Sequence, residues 1–280
     1  MSRSGHLLIA CPDQPGIVAR VTGALFSCGA NITESAQHST DPTGGLFFMR
    51  VAFHMPALQI EALTTSLNEL AAVWQMQVRL SWPDRPKRAA IFLSRESHCL
   101  LELLWQHQTG EIGAQIPIVI SNHADHGETV RRMGYAFTHV PVSKDRKQDA
   151  EQQQLALLQD VDFIVLARYM QILSPYFIAA FGKPIINIHH SFLPAFVGAR
   201  PYERAYERGV KIIGATAHYV TADLDAGPII EQDIARVAHS NSVTDLKAIG
   251  RQIERSVLAR AVRWHIEDRV IVHDNRTIVF

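Results

Sequence analysis

Apolar residues recur with two different periods along the first 80 or so positions of the chain. The run "HLLIAC" predicts a short strand, whereas "DQPGIVARVTGALFSCG" predicts a helix, because its apolar residues fall at positions 17, 18, 21, 25 and 26. We expect Asp13 to cap this helix, Pro15 to lie in its first turn and Gly29 to follow its last residue.

A hairpin and a second helix complete this first region. "NITESAQHS" and "LFFMRVAFHM" predict two strands joined by the turn "DPTGG". A helix from about Ala57 to Leu70 and a last strand in "VWQMQVRLSW" follow. The order βαββαβ predicts a ferredoxin-like domain over residues 1–82.

The segment "PDRPKR", residues 83–88, has no apolar period and predicts a linker. From residue 89 to 280, apolar strands alternate with amphipathic helices, which predicts an α/β domain with a doubly wound, mostly parallel sheet. Ligands bind such sheets beyond the carboxyl ends of the strands. The candidate ligand-binding residues therefore follow the strands. They are Ser94, 121–123, 168–170, 187–189 and the loop near Asp225.

Charge and composition restrict the class of protein. Lys plus Arg and Asp plus Glu number 27 each, so no basic excess favours a nucleic-acid partner. The three cysteines are widely spaced, without the spacing of metal ligands or of a disulfide framework. No apolar run approaches the roughly 18 residues of a membrane helix, and no signal peptide is evident. We expect a cytoplasmic protein with neither a membrane nor a nucleic-acid partner.

The stretch "NIHHSFLPAF", which starts at Asn187, carries the first candidate chemistry. Asn187 and His189 are two residues apart and share a face of an extended strand, whereas His190 points away. An amide donor and an imidazole in one pocket suit acyl-type chemistry at a carbonyl. The alternative is that both histidines are surface loop residues.

Two further segments flank this stretch. Asp225 lies in a loop between apolar strands, where it either bonds its own backbone or points at the pocket and orients His189 or a water molecule. In "ARYMQILSP", Met170, Ile172 and Leu173 offer apolar walls for a flat heteroaromatic ligand. The alternative for this segment is core packing, with Ser174 capping the next helix.

These three motifs, in this order, resemble the formyltetrahydrofolate-dependent transferase and hydrolase family over roughly residues 85–280. The resemblance implies that Asn187, His189 and Asp225 form the catalytic set. It also implies substrate-binding residues, which are Arg168, Tyr169, Met170, Gln171, Ile172, Leu173, Ser121 and Asn122.

Within this family, the acceptor of the formyl group differs between branches. No glycine lies between Ile91 and Glu102, where a phosphate-binding loop would need one, and no basic excess favours a tRNA acceptor. The chain resembles the branch in which water is the acceptor, the formyltetrahydrofolate deformylases. That resemblance implies formate supply for purine synthesis and a balanced one-carbon folate pool, with no cofactor. Adjacent His189 and His190 would not easily converge on a metal with Asp225.

The first region resembles an ACT module in "DQPGIV" and "GANI". The resemblance implies an amino-acid effector, glycine or methionine, and a homo-oligomer of two or four chains. Its candidate effector residues are Asp13, Gly16, Ile17 and Asn31. The alternative is a module that only mediates dimerisation.

Other functions stay open from the sequence. One is formyl transfer to a small amine without phosphate, and another is a catalytically silent folate or amino-acid sensor. Arg200 and Arg204 either bind the glutamate tail of folate or form the solvated face of a short helix.

Overall fold

A computed structural model describes residues 2–41, 43–194 and 200–280 of the chain. The chain divides into two compact units, the first comprising Met1–Pro86 with Glu267–Phe280 and the second Lys87–Ile266. The last two letters of "NIHHSFLPAF" and the positions up to 199 lie outside the described residues. No helix in the described ranges has both the length and the apolar character needed to cross a membrane.

The first unit contains the predicted βαββαβ order. Its antiparallel sheet has the strand order β2-β3-β1-β4. The elements are β1 (Ser2–Pro12), α1 (Ile17–Ser27), β2 (Asn31–Ser39), β3 (Leu46–Pro56), α2 (Ile60–Trp74) and β4 (Gln77–Ser81). Both helices contribute apolar side chains to one core against the sheet. The predicted ferredoxin-like arrangement is confirmed.

The predicted ends of the helices are partly wrong. Gly16, with a φ of 97°, precedes α1 and makes no side-chain cap, while the carboxylate of Asp13 accepts a hydrogen bond from the Ser39 hydroxyl. Asp13 therefore joins the end of β2 instead of capping the helix. Gly29 follows α1 with a φ of 70°, as predicted. The second helix starts at Ile60 and continues past Leu70 to Trp74.

The second unit is built on a seven-stranded sheet of order β11-β10-β9-β8-β5-β6-β7. Its strands are β5 (Arg88–Leu93), β6 (Gln115–Ser121), β7 (Phe137–His139), β8 (Phe163–Leu166), β9 (Ile185–His189), β10 (Ile212–Tyr219) and β11 (Ile229–Arg236). Its helices are α3 (His98–Gln108), α4 (Gly127–Arg132), α5 (Lys147–Ala156), α6 (Pro175–Phe181), α7 (Pro201–Arg208) and α8 (Val243–Ile266).

Strands β5 to β9 pair in parallel, and β10 and β11 add antiparallel pairs at one side. The predicted mostly parallel sheet is therefore confirmed. Because parallel strands end at the same edge, the carboxyl ends of β5, β8 and β9 bring Ser94, Arg168 and His189 to that edge. Buried side chains such as Phe92, Ile164 and Phe177 form a core beneath it.

The C-terminal residues differ from the sequence prediction, which placed 267–280 in the catalytic domain. The hairpin of β12 (Val270–His273) and β13 (Arg276–Val279) belongs to the first unit. Ile271, Ile278 and Phe280 pack against Leu8, Ala10 and Phe48, on the face of the sheet opposite Leu7 and Ile9. The continuous apolar run "LLIAC" in β1 is typical of a strand that is buried on both faces. The run alone does not indicate that the C-terminal hairpin covers the second face.

Candidate active site

Three residues predicted from the sequence lie together at the carboxyl end of β9. The Nδ1 atom of His189 lies 3.2 Å from Oδ2 of Asp225, which follows β10 and has a φ of 54°. Asn187 and both of these residues line one cavity of about 350 Å³. The predicted convergence of Asn187, His189 and Asp225 is therefore present in the structure.

A second histidine, His218, joins this group and was missed by the sequence reasoning. It is the cross-strand neighbour of Asn187 on β10, and its Nε2 atom lies 3.2 Å from the amide nitrogen of Asn187. The same Nε2 atom lies 3.7 Å from Oδ1 of Asp225. Its Nδ1 atom donates to the carbonyl of Tyr219 at 2.9 Å. Nε2 of His218 therefore lies between the amide of Asn187 and the carboxylate of Asp225 and connects the two groups.

The charge on Asp225 is fixed by these histidines. Hydrogen bonds from His189 and then from His218 hold the pKa of Asp225 well below its usual range, although burial opposes them. The ionised carboxylate therefore orients the His189 ring through Nδ1. The other ring nitrogen, Nε2, is buried and has no hydrogen-bond partner in the part of the chain that the structure describes. This atom is available to exchange a proton with a bound substrate.

His190 lies beside His189 but has different neighbours. Its ring centroid lies 6.1 Å from that of Tyr202 and 5.2 Å from that of His189. Burial, with Arg168 acting in the same direction, lowers the pKa of His190 to about 4. His190 nevertheless lines the same cavity as His189, so the prediction that it points away from the pocket is wrong. It forms part of the cavity wall as an uncharged ring at neutral pH.

All residues of the segment 168–173, which the resemblance implies in substrate binding, line the same cavity. Met170 is 57% and Ile172 61% exposed, and they form an apolar wall. Tyr169 and Leu173 are buried in the core, and the Ser174 hydroxyl accepts from the backbone N–H of Phe177. The segment thus contributes both to the cavity and to the core, and both interpretations of it apply.

Ser121 and Asn122 are not among the residues that line this cavity. The Oδ1 atom of Asn122 accepts from the Ser94 hydroxyl at 2.7 Å, and the Ser94 oxygen accepts from the backbone N–H of Met170 at 2.9 Å. Asn122 therefore supports the cavity wall through Ser94 instead of touching its contents. Ser121 accepts from the backbone of His123.

Of the two arginines on or near α7, Arg200 lines the cavity and Arg204 does not.

The candidate effector residues of the first unit have different environments. The Asp13 carboxylate accepts a hydrogen bond from Ser39 and the Ile17 side chain is buried, whereas Gly16 and Asn31 are exposed. The four candidate effector residues therefore do not present a common exposed set of side chains.

One group in the described ranges has three possible metal ligands close together: His98, Cys99 and Glu254. Both oxygens of Glu254 already have partners, Tyr202 and His98, and the Arg168 guanidinium lies 3.3 Å away. Burial raises the pKa of the Cys99 thiol well above its usual range. A positive neighbour and a protonated thiol both disfavour a cation at this group.

Comparisons with known proteins agree with this architecture. Residues 87–262 match the formyl transferase family, and residues 6–72 match the ACT domain. The chain is 57% identical over 280 residues to a formyltetrahydrofolate deformylase of Bacillus subtilis, which covers 99% of this chain and 93% of the relative.

Solved structures show the same relationship. A formyltetrahydrofolate deformylase from Pseudomonas syringae pv. tomato superposes with a TM-score of 0.94 at 45% identity, covering 99% of this chain and 94% of that one. A glycinamide ribonucleotide transformylase from Symbiobacterium toebii superposes with a TM-score of 0.66 at 31% identity, covering 72% of this chain and 98% of that one.

Proposed function

The chain belongs to the formyltetrahydrofolate deformylase family, and we propose that it hydrolyses 10-formyltetrahydrofolate to formate and tetrahydrofolate. The observation that carries the proposal is the His189–Asp225 pair beside Asn187. It presents one unpartnered imidazole nitrogen and one amide donor to a single cavity. A formyl group needs a proton acceptor for the attacking water and a donor for its oxygen.

We assign a role to each group on the basis of its contacts. Asp225 holds Nδ1 of His189, so Nε2 takes a proton from water as its oxygen bonds to the formyl carbon. The amide of Asn187, placed by His218, donates to the formyl oxygen as it becomes negative. The bond from carbon to the folate nitrogen then breaks, and protonated His189 returns its proton to that nitrogen. Water is consumed, and no cofactor is required.

The walls of the cavity suit the flat, partly apolar ring system of a folate. Met170, Ile172 and Leu224 have exposed apolar side chains there, and residues 222–225 line the same cavity. Arg200 at this cavity supplies a positive charge for the glutamate tail. Arg204 lies outside the lining and is assigned no such role.

The ACT match supports binding of a small-molecule effector by the first unit. We extend this to glycine or methionine as the effector of a cytoplasmic homo-oligomer. Initial rates with each amino acid, compared between the wild type and Asn31→Ala, test the extension. An effect of glycine or methionine that Asn31→Ala abolishes supports it, and rates that neither amino acid changes contradict it.

The test of the main proposal uses the purified protein and 10-formyltetrahydrofolate without any acceptor. Formate released over many turnovers is the expected result. No release until a small amine is added would instead identify a formyltransferase.

A further inference from the structure

Three side chains from three parts of the second unit meet at the carboxylate of Glu254 on α8. The Tyr202 hydroxyl donates to Oε1 at 2.6 Å, and Nε2 of His98 and Nε of Arg168 lie 2.8 and 3.3 Å from Oε2. Glu254 is 1% exposed. We call Glu254, Tyr202, His98 and Arg168 the Glu254 cluster.

The Glu254 cluster is held together by charge. Burial disfavours the ionised form of Glu254, but the hydrogen bond from His98 and the charge of Arg168 outweigh it and lower the pKa of Glu254. Separating a buried carboxylate from its partners leaves uncompensated charge and is strongly unfavourable. The cluster therefore behaves as a fixed part of the protein.

The Glu254 cluster lies between two cavities. Arg168 lines the catalytic cavity of about 350 Å³. His98 lines a second cavity of about 500 Å³, together with Arg95, Arg251 and Arg255. Because His98 and Arg168 approach the same oxygen of Glu254, these three side chains form the partition between the two spaces.

The packing of α7 against α8 closes the partition further. A Cβ atom at Gly250 would lie 2.0 Å from the Tyr202 hydroxyl oxygen, so only glycine lets Tyr202 approach α8 this closely. The ring of Tyr202 also lies against His190, which lines the catalytic cavity. Tyr202 therefore packs between Gly250 of α8 and the ring of His190.

The free volume beside His189 limits the size of the acceptor that can reach the formyl carbon. A cavity of about 350 Å³ is near the lower end of the roughly 300–1,000 Å³ typical of ligand pockets, so a bound folate leaves little room beside His189. The second cavity has room and positive charge for a larger acceptor, but it lies behind the partition. The transformylase from Symbiobacterium toebii has the same fold, so the fold alone does not select the acceptor.

We propose that the Glu254 cluster is an acceptor barrier, which excludes amines from the formyl group and so restricts attack to water. This inference rests on the proposed hydrolysis. With either acceptor the same carbon–nitrogen bond of the folate breaks and the acceptor's proton moves to the folate nitrogen. Only the product differs, formate from water and an N-formyl compound from an amine.

The test compares products from 10-formyltetrahydrofolate labelled with ¹³C in the formyl group, with glycinamide present in excess. Mass spectrometry gives the ratio of formylated glycinamide to formate. We expect the wild type to form almost only formate. His98→Ala removes one of the side chains of the barrier and should raise the ratio about tenfold or more. Hydrolysis itself should persist in this variant.

A control variant makes the result specific. His107→Ala removes another histidine of α3, which bonds the Tyr135 hydroxyl and lies outside the barrier. This variant should retain the wild-type ratio. Equal ratios in His98→Ala and His107→Ala, or a wild type that formylates glycinamide as fast as it hydrolyses, would overturn the proposal.

If circular dichroism shows that His98→Ala is unfolded, the proposal can be tested with the wild type alone. Amines of increasing size, from hydroxylamine to glycinamide, should lose reactivity steeply, and equal reactivity across the series contradicts the barrier. A wild type that releases no formate and formylates no amine refutes the proposed hydrolysis, a result distinct from hydrolysis with an unchanged product ratio.

Discussion

The carboxylate of Asp225 lies 3.2 Å from Nδ1 of His189, which leaves Nε2 of the same ring as the nitrogen that meets a substrate. The two residues come from different strands, since His189 ends β9 and Asp225 follows β10. Antiparallel pairing of β9 with β10 brings them together, and Asn187 and His218 face each other across the same pair. The candidate chemistry is thus built on one strand pair.

Replacing Asp225 with Asn should lower kcat by about 10²- to 10⁴-fold, because the neutral amide no longer holds His189 or stabilises its protonated form. The KM for 10-formyltetrahydrofolate should change little, since the cavity walls stay in place. Steady-state kinetics measure both constants. Asp223→Asn, an exposed residue at the same cavity, is the control and should keep kcat. Comparable losses in the two variants would contradict the role of Asp225.

Asn187→Ala should reduce kcat about a hundred- to a thousand-fold, which is the usual effect of losing one donor to a developing oxyanion. Its binding of folate should be nearly unchanged, because the donor acts mainly in the transition state. Kinetics and equilibrium binding of tetrahydrofolate measure the two effects. Asn241→Ala, in the loop before α8, is the control, and near wild-type turnover in Asn187→Ala would refute the assignment.

The predictable part of this site follows from local rules. Alternate residues of a strand share a face, which predicts Asn187 and His189 on the same side. Ligands bind beyond the carboxyl ends of parallel strands, which predicts both residues at a binding edge of the sheet. The grouping of Asp225 with them came from family resemblance. The pairing of His218 with Asn187 depends on the register between two strands, which the pattern of single residues leaves open when both strands are buried.

Longer-range contacts explain the other differences. Asp13 fits the residue preferences of a helix cap, but Ser39 at the end of β2 competes for its carboxylate. The final hairpin adjoins the second unit in sequence and packs in the first, because β1 and β3 have a second apolar face to cover. Neither contact leaves a local signal.

His218→Gln should lower kcat about 10- to 100-fold, the usual range for a residue that orients a functional group. The ring contacts both Asn187 and Asp225, so its loss affects the oxyanion donor and the orienting carboxylate together. The double variant with Asn187→Ala should be less impaired than the product of the two single effects. Independent, fully multiplicative effects on kcat would contradict the coupling, and His139→Gln on β7 is the control.

Ser94→Ala should raise the KM for 10-formyltetrahydrofolate more than it changes kcat. The variant removes the acceptor for the Met170 backbone N–H and the donor to Asn122, so the wall 168–173 loses its support. The unsatisfied groups should lower the free energy of unfolding by about 1–3 kcal/mol. Urea denaturation and kinetics measure these effects. Ser97→Ala, whose hydroxyl makes no capping bond, should change neither quantity.

His190 should make the free energy of unfolding depend on pH. Burial, with Arg168 acting in the same direction and Glu254 and Asp225 opposing, lowers the pKa of folded His190 to about 4, against about 6.5 in an unfolded chain. Between these values the unfolded chain binds the proton more readily, so the contribution of neutral His190 is present above pH ~6.5 and is lost as the pH falls towards ~4.

His190→Gln removes this titration. The free energy of unfolding of the wild type should therefore fall more between pH 7 and pH 5 than that of the variant, as measured by urea denaturation at both values. His239→Gln replaces a histidine in the loop before α8 and should follow the wild type. Parallel pH dependence of the wild type and His190→Gln would show that His190 does not stay neutral in the folded protein.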